Sequence, residues 1–192
     1  TDMASEMLYP VMPLYLKSIG FTMAFIGFLE GAAEFTAGIS KGYFGQLSDK
    51  WQKRVPFIRW GYTLSAATKP MVVLFRNPFW VLFMRVGDRL GKGLRTGARD
   101  ALLADECTPQ NRGRVFGLHR GMDTLGATLG ALSAFLILTV QPQDFENVFV
   151  WAIVPGIVAI FLSFLLKESK RTNDFTAPKE KVGFLSYFKY WK

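Results

Sequence analysis

The sequence predicts an all-α, polytopic membrane protein, and three observations predict it. Long stretches carry few or no charges, the ionisable residues are bunched between those stretches, and the charges left inside them recur at helical spacing. Half of the 192 residues are apolar (50%), an ordinary fraction for a soluble domain, so distribution and not content carries the prediction. A disordered chain would show low hydrophobicity. A disulfide-built module is excluded because Cys107 is the only cysteine and has no intrachain partner.

A bilayer core of about 30 Å takes roughly 20 helical residues. Residues 148–166 hold no charge and are followed at once by Lys167, Glu168, Lys170 and Arg171, which makes them the clearest span, the sixth and last. Residues 113–140 are expected as the fifth span, rich in small residues and closed by Gln141-Pro142-Gln143-Asp144. Residues 78–104, opened by Asn77-Pro78, form the fourth; 55–75 the third; 21–47 the second. Residues 3–16 are apolar but too short to cross alone. With Thr1 set directly inside an apolar pattern, they read as a first span whose initial turns are missing, a short interfacial helix being the plainer alternative. No basic start or small-residue cleavage site marks a signal peptide.

Loop charge predicts orientation. Lys50, Lys53, Arg54, Arg59, Arg112, Arg114 and the tail cations Lys167, Lys170, Arg171, Lys179, Lys181, Lys189 and Lys192 fall on one side. Lys17, Arg76, Asp144 and Glu146 fall on the other. The basic side is expected to be cytoplasmic, with both ends of this chain there. The formal net charge of +8 is thereby placed where the positive-inside rule puts it, and no basic stripe interleaved with aromatics is left for nucleic acid.

Ionisable groups inside a span are costly and turn toward a bundle interior or a wet cavity. At about 100° per residue, Glu30, Glu34 and Lys41 lie within about 40° on the second span. Asp2 and Glu6 stack on the first. On the fourth, Arg85, Asp88, Arg89 and Lys92 share a side, with Arg95, Arg99 and Asp100 continuing in the same half, and Gly87 and Gly91 sit opposite, where small residues let helices approach. Arg120 and Asp123 repeat the pattern on the fifth. The sixth span has no such group and is expected at the lipid-facing periphery. Asp2, Glu6, Arg85 and Arg89 point to a polar cavity. Glu30, Glu34 and Lys41 are open to that role or to a self-satisfied structural network. Arg95, Arg99 and Asp100 fit snorkelling or a gate-locking ion pair better than solute contact, and His119 is either a hydrogen-bonded side chain or a proton relay.

Between the second and third spans stands Gly45-Gln46-Leu47-Ser48-Asp49-Lys50-Trp51-Gln52-Lys53-Arg54. It resembles the G-x-L-[small]-D-[RK]-x-G-[RK]-[RK] signature of the major facilitator superfamily, with Gln52 in place of the usual glycine. The run from Asp88 to Arg95 and on through Arg99-Asp100 to Asp105 is similar to the fourth-helix region of a bacterial branch, and Arg112-Gly113-Arg114-Val115-Phe116-Gly117 to its next cytoplasmic loop. Gly117, Gly126 and Gly130 have the spacing of the fifth-helix glycine motif of antiporters, but Ala131 and Ala134 replace its proline and glycine.

The resemblance covers the amino-terminal six-helix half of that fold, a 3+3 inverted repeat with its first helix truncated. It implies residues 1–168 as a transmembrane bundle and residues 169–192 as a cytoplasmic linker toward a missing carboxy-terminal six-helix half, which the polar tail with Pro178 and its amphipathic end fits; a half-size protein that dimerises is the alternative. It implies a bacterial inner-membrane secondary transporter, working by symport or antiport on a small polar or charged organic solute. Asp2, Glu6, Glu30, Glu34, Arg85, Arg89 and Asp123 would then serve solute or proton coupling. Gly45 and Asp49 with Lys53 or Arg54 would form a conformational latch, for which a solvated loop is the plainer alternative. The repeat logic places Asp2 and Glu6 opposite Arg85 and Arg89 across a central cavity, so protons, membrane lipids and the solute are the expected partners.

An enzyme is disfavoured. Leu90-Gly91-Lys92-Gly93 lacks the Walker A spacing and hydroxyl, and one cysteine and one histidine, Cys107 and His119, make no zinc site without added carboxylates. No cofactor, metal or catalytic residue is therefore expected. The remaining rival is a non-transporting scaffold or sensor that retains the transporter fold.

Overall fold

The computed structural model describes residues 2–168, which form helices and short connections with no strand among them. The expected linker 169–192 and its cations lie outside the described residues. Eight helices account for the six expected spans: α1 (Asp2–Leu8) and α2 (Val11–Ser18), α3 (Met23–Trp51), α4 (Val55–Met71), α5 (Pro78–Asp105), α6 (Arg112–Val140), and α7 (Phe145–Trp151) with α8 (Ile153–Phe164).

Proline sets the departures in the first, third and sixth spans, while α3 runs on past the expected residue 47 to Trp51. The first span breaks at Tyr9-Pro10, because a proline has no N–H to give the carbonyl four residues back. Pro155 does the same to the carbonyl of Trp151, and the sixth span divides at Ala152. Pro70 lies inside α4, which ends at Met71 and unwinds through three-residue hydrogen bonds at Val72, Val73 and Leu74 instead of reaching Phe75. The long helices start as their sequences dictate. Asn77 Oδ1 accepts the amides of Phe79 (2.9 Å) and Trp80 (3.4 Å) ahead of Pro78, an N-cap followed by proline at the first helical position.

α5 is the centre of the bundle, packed between α3 and α4, and its glycines allow this. A methyl group on Gly91 would stand 2.8 Å from the Gly61 carbonyl oxygen and the Ser65 nitrogen of α4. Gly93 and Gly97 face Ser40, Lys41 and Gly45 of α3. The side of α5 expected to be small therefore meets α4, and a second small side meets α3. α8 lies outside α4 and turns Val154, Ile157, Val158 and Phe161 outward, as a peripheral sixth span should.

α1 belongs to a second layer. It packs along α6, where Gly126 and Gly130 face the backbone of Met3, and the backbones of α1 and α5 are not packed on each other. The α2–α7 end closes on an extended apolar core, with Leu8, Met12, Leu16, Leu29, Val81 and Phe149 buried, and a smaller cluster around Phe57, Ile58 and Ala98 joins α4 to α5 toward the other end. At that end the backbones of α1 and α6 stand off from α5 across a cleft that the Asp2–Arg95 and Asp123–Arg99 side chains span.

α6 and the α7–α8 stretch Phe145–Phe164 are long and apolar enough to cross a membrane. α3 and α5, with 29 and 28 residues, reach about 40 Å at about 1.5 Å per residue, but carry the ionisable groups described next. Arg85, Asp88, Arg89 and Arg95 of α5 are buried and Glu30 of α3 nearly so, with Glu34 and Lys41 half-exposed, while Phe28, Phe35 and Tyr43 of α3 and Phe79 and Phe83 of α5 are exposed. That inversion is what a lipid solvent selects, since nothing in it hydrates a charge.

Candidate functional site

Six side chains form a line of alternating charge across α4, α5 and α3. Lys69 Nζ lies 2.5 Å from Asp88 Oδ1, which also accepts from the Ser65 hydroxyl. The other oxygen of Asp88 lies 3.5 Å from Arg85. Arg85 grips Glu30 with both prongs of its fork, Nε at 2.9 Å and Nη2 at 2.8 Å, the strong bidentate geometry. Arg89 follows one turn on, 3.0 Å from Glu34 and 4.0 Å from Glu30. The line runs from dry to wet: the Lys69, Asp88, Arg85 and Arg89 side chains are at most 7% exposed, Glu30 is 24% and Glu34 55%. Three cations meet three carboxylates, so the line is neutral as a whole. Helical spacing delivers this, with Glu30 and Glu34 one turn apart on α3 facing Arg85 and Arg89 one turn apart on α5.

The structure pairs the first span differently from the expectation. Asp2 does not meet Arg85 or Arg89; it lies 3.4 Å from Arg95 and 4.0 Å from Arg99. α1 runs antiparallel to α5 in a register that sets Asp2 beside Arg95 and Tyr9 beside Arg89, whose guanidinium lies 5.9 Å from the Tyr9 ring. The acidic partners of Arg85 and Arg89 come from α3 instead. Asp123 of α6 joins the Asp2 group, 3.4 Å from Arg99 and 3.5 Å from His119. Arg95, expected at the helix end, has its side chain 1% exposed with Tyr62 beneath it, 5.1 Å from the ring centre. It spans the cleft and does not snorkel. Glu6 is half-buried on α1.

The signature segment gathers four helix ends around Arg54. This buried guanidinium pairs with Asp49, donates to the Ser48 hydroxyl at 3.0 Å and lies 3.3 Å from Asp105 at the end of α5. Glu168, beyond α8, accepts from the amides of Arg54 and, at 3.1 Å, Val55, so a carboxylate caps the positive start of α4. Of the two cations expected to partner Asp49, the structure selects Arg54; Lys53 is exposed. Gly45 stands against Gly97, where a methyl on Gly97 would lie 3.1 Å from the Gly45 Cα. Gln52 ends α3 in the left-handed region (φ 53°, ψ 28°), where glycine is usual, and its side-chain amide donates 2.6 Å to the Asp49 carbonyl. That local bond offsets the roughly 1–2 kcal/mol cost of left-handed backbone for a residue with a Cβ.

Lys41 pairs with Asp100 at 3.5 Å, so the whole α3 stripe faces α5. Arg120 is exposed. Sequence reasoning missed Lys69 and did not place Asp88, Asp105 or Glu168 in a site. A lone lysine in an otherwise uncharged part of the third span was the available signal for Lys69. Asp105 and Glu168 look like ordinary helix-end charges until tertiary packing brings them to Arg54.

A helical bundle that exposes apolar side chains and turns ionisable ones inward is an integral membrane protein. The chain belongs to the Major Facilitator Superfamily, whose family model matches residues 1–192. It is 33% identical over 173 residues to an uncharacterised MFS-type transporter of Methanocaldococcus jannaschii, covering 90% of this chain and 43% of that protein. It is 28% identical over 154 residues to an uncharacterised protein of Mycobacterium tuberculosis, covering 80% and 37%. It is 29% identical over 178 residues to the multidrug resistance protein MdtH of Cronobacter sakazakii, covering 91% and 43%. The chain thus spans about two-fifths of the length of the curated relatives it matches.

Proposed function

We propose that this chain is the amino-terminal part of a secondary active transporter, which moves a small polar or charged organic solute by alternating access with coupled proton movement. The observation that carries the reading is the neutral line of charges from Lys69 to Glu34. Such groups are expensive in a membrane and mark solute or ion pathways. The names of the transporter relatives support the class. Glu34, half-exposed beside Arg89, is the coupling carboxylate. When Glu34 takes a proton, Arg89 loses its partner and turns to Glu30, already 4.0 Å away. That shifts Arg85 and hence the α3–α5 contact.

In this reading the Asp49–Arg54–Asp105 cluster holds one conformation, with Gly45 keeping α3 and α5 close. The side bearing the cluster is cytoplasmic, with both ends of this chain there, and lipid covers α8. Leu118, Met122, Leu125, Leu129, Leu132 and Leu136 form an exposed stripe on α6 that packs on a carboxy-terminal six-helix half. The full-length protein in proteoliposomes tests the proposal. Glu34→Gln abolishes uptake driven by a pH gradient and leaves solute counterflow intact. Undiminished driven uptake rejects the coupling role, and no flux of any solute in the wild type supports a scaffold instead.

A further inference from the structure

Once the ion pairs of the bundle are assigned, one carboxylate and one ammonium group are left on the two walls of the α1–α5 cleft. The side chains of Glu6 and Lys92 are both half-buried, and neither makes an ion pair or hydrogen bond among the described residues. Their positions correspond. At about 100° per residue, Asp2, Glu6 and Tyr9 fall within about 60° on one face of the first span. Asp2 touches Arg95 and Tyr9 touches Arg89, so Glu6 lies on the face of α1 that looks at α5. Lys92 lies midway between the two α5 residues those neighbours touch. Glu6 is about 6 Å along α1 from Asp2, and Lys92 is about 4.5 Å along α5 from Arg95, at about 1.5 Å per residue. The two unpaired charges stand at the same level.

They do not meet because α1 is seated on α6, where Gly126 and Gly130 admit the Met3 backbone. The cleft is spanned on one side of this level by Asp2–Arg95 and on the other by Tyr9–Arg89. Leaving opposite charges unpaired in a membrane interior is unfavourable, unless a third body with complementary charges occupies the space between them.

We propose that Glu6 and Lys92 form a subsite for a small zwitterion, Glu6 receiving its cationic amine and Lys92 its carboxylate or phosphate. The local charge favours this over a simple anion. Arg89 and Arg95 flank Lys92 but are engaged by Glu34 and Asp2, so the walls are neutral overall and a net-neutral solute leaves them so. A lipid headgroup is a poor fit, because Lys92 is about 20 Å along α5 from its first residue at about 1.5 Å per residue. The subsite names the solute class of the carrier proposed above and rests on that reading.

The test is thermal unfolding of the full-length protein in lipid nanodiscs, titrated with ω-amino acids from glycine to 6-aminohexanoate and with butanoate and butylammonium as singly charged controls. At least one ω-amino acid stabilises the wild type at a concentration about tenfold below either control. Glu6→Gln and Lys92→Gln each weaken that response about ten- to hundredfold, the loss of one charge-assisted contact. Neither lowers the ligand-free midpoint, since each removes an unpaired charge. The exchange variant Glu6→Lys with Lys92→Glu keeps the response. Equal potency of zwitterions and singly charged controls, or unchanged titrations in both single variants, overturns the subsite. Because binding is read apart from flux, selective stabilisation without transport retains the subsite and removes the carrier. Flux of another solute that ignores both variants does the reverse.

Discussion

Asp88 is the residue on which the buried half of the charge line depends, and Asp88→Asn changes its charge at nearly constant shape. In the wild type this side chain is 7% exposed and faces two cations, Lys69 and Arg85. At the 3.5 Å Arg85 separation the attraction is about 5 kcal/mol for an effective dielectric constant of about 20, and it is larger for the closer lysine. Much of this is cancelled by the desolvation of all three groups. Removing one member of a buried pair therefore costs about 3–5 kcal/mol, because the remaining charges stay buried without compensation. Asp88→Asn should lose that much in equilibrium unfolding in mixed detergent micelles. Adding Lys69→Met should restore most of it, since an apolar replacement for a buried pair is close to neutral, and the double-mutant cycle should give a coupling well above 1 kcal/mol. A single variant within 1 kcal/mol of the wild type, or a double variant no more stable than the single, would refute this account of Lys69 and Asp88 as mutually compensating charges.

Two further outcomes follow from the close contacts. Asp49→Asn and Arg54→Ala should shift the balance of open states, read as a change in the labelling rates of single cysteines at the two faces of the full-length protein; unaltered labelling at both faces counts against a latch. Gly91→Ala should destabilise by about 1–3 kcal/mol or more, because the new methyl meets α4 backbone at 2.8 Å. Gly31→Ala, with open space around it, should be neutral or stabilising by up to about 1 kcal/mol. Equal midpoints for those two variants would mean that α4 and α5 are not in the contact described.

How far the site was legible depends on whether a feature repeats along one helix or arises between helices. Glu30, Glu34 and Lys41 share a face by arithmetic alone, and so do Arg85 and Arg89; that they face each other required the packing of α3 on α5. Asp2 was assigned the wrong partners because helical period fixes a residue's angle about its axis but not the register between two helices. The seating of α1 on Gly126 and Gly130 of α6 sets that register. The boundaries of the first, third and sixth spans were readable in Pro10, Pro70 and Pro155, but hydropathy runs straight through a proline and hides its missing N–H.

Membership of the family, the all-helical class and the shared faces of the charges within each helix were determined by the sequence itself, because lipid imposes hydropathy and helical period residue by residue. The partners of those charges were decided only by tertiary structure. Ion pairing acts over a few ångströms between atoms far apart in the chain. The approach of glycine-lined helices, and the seating of α1 on α6, settled which charges came within that distance and which, Glu6 and Lys92 among them, were left without an ion pair among the described residues.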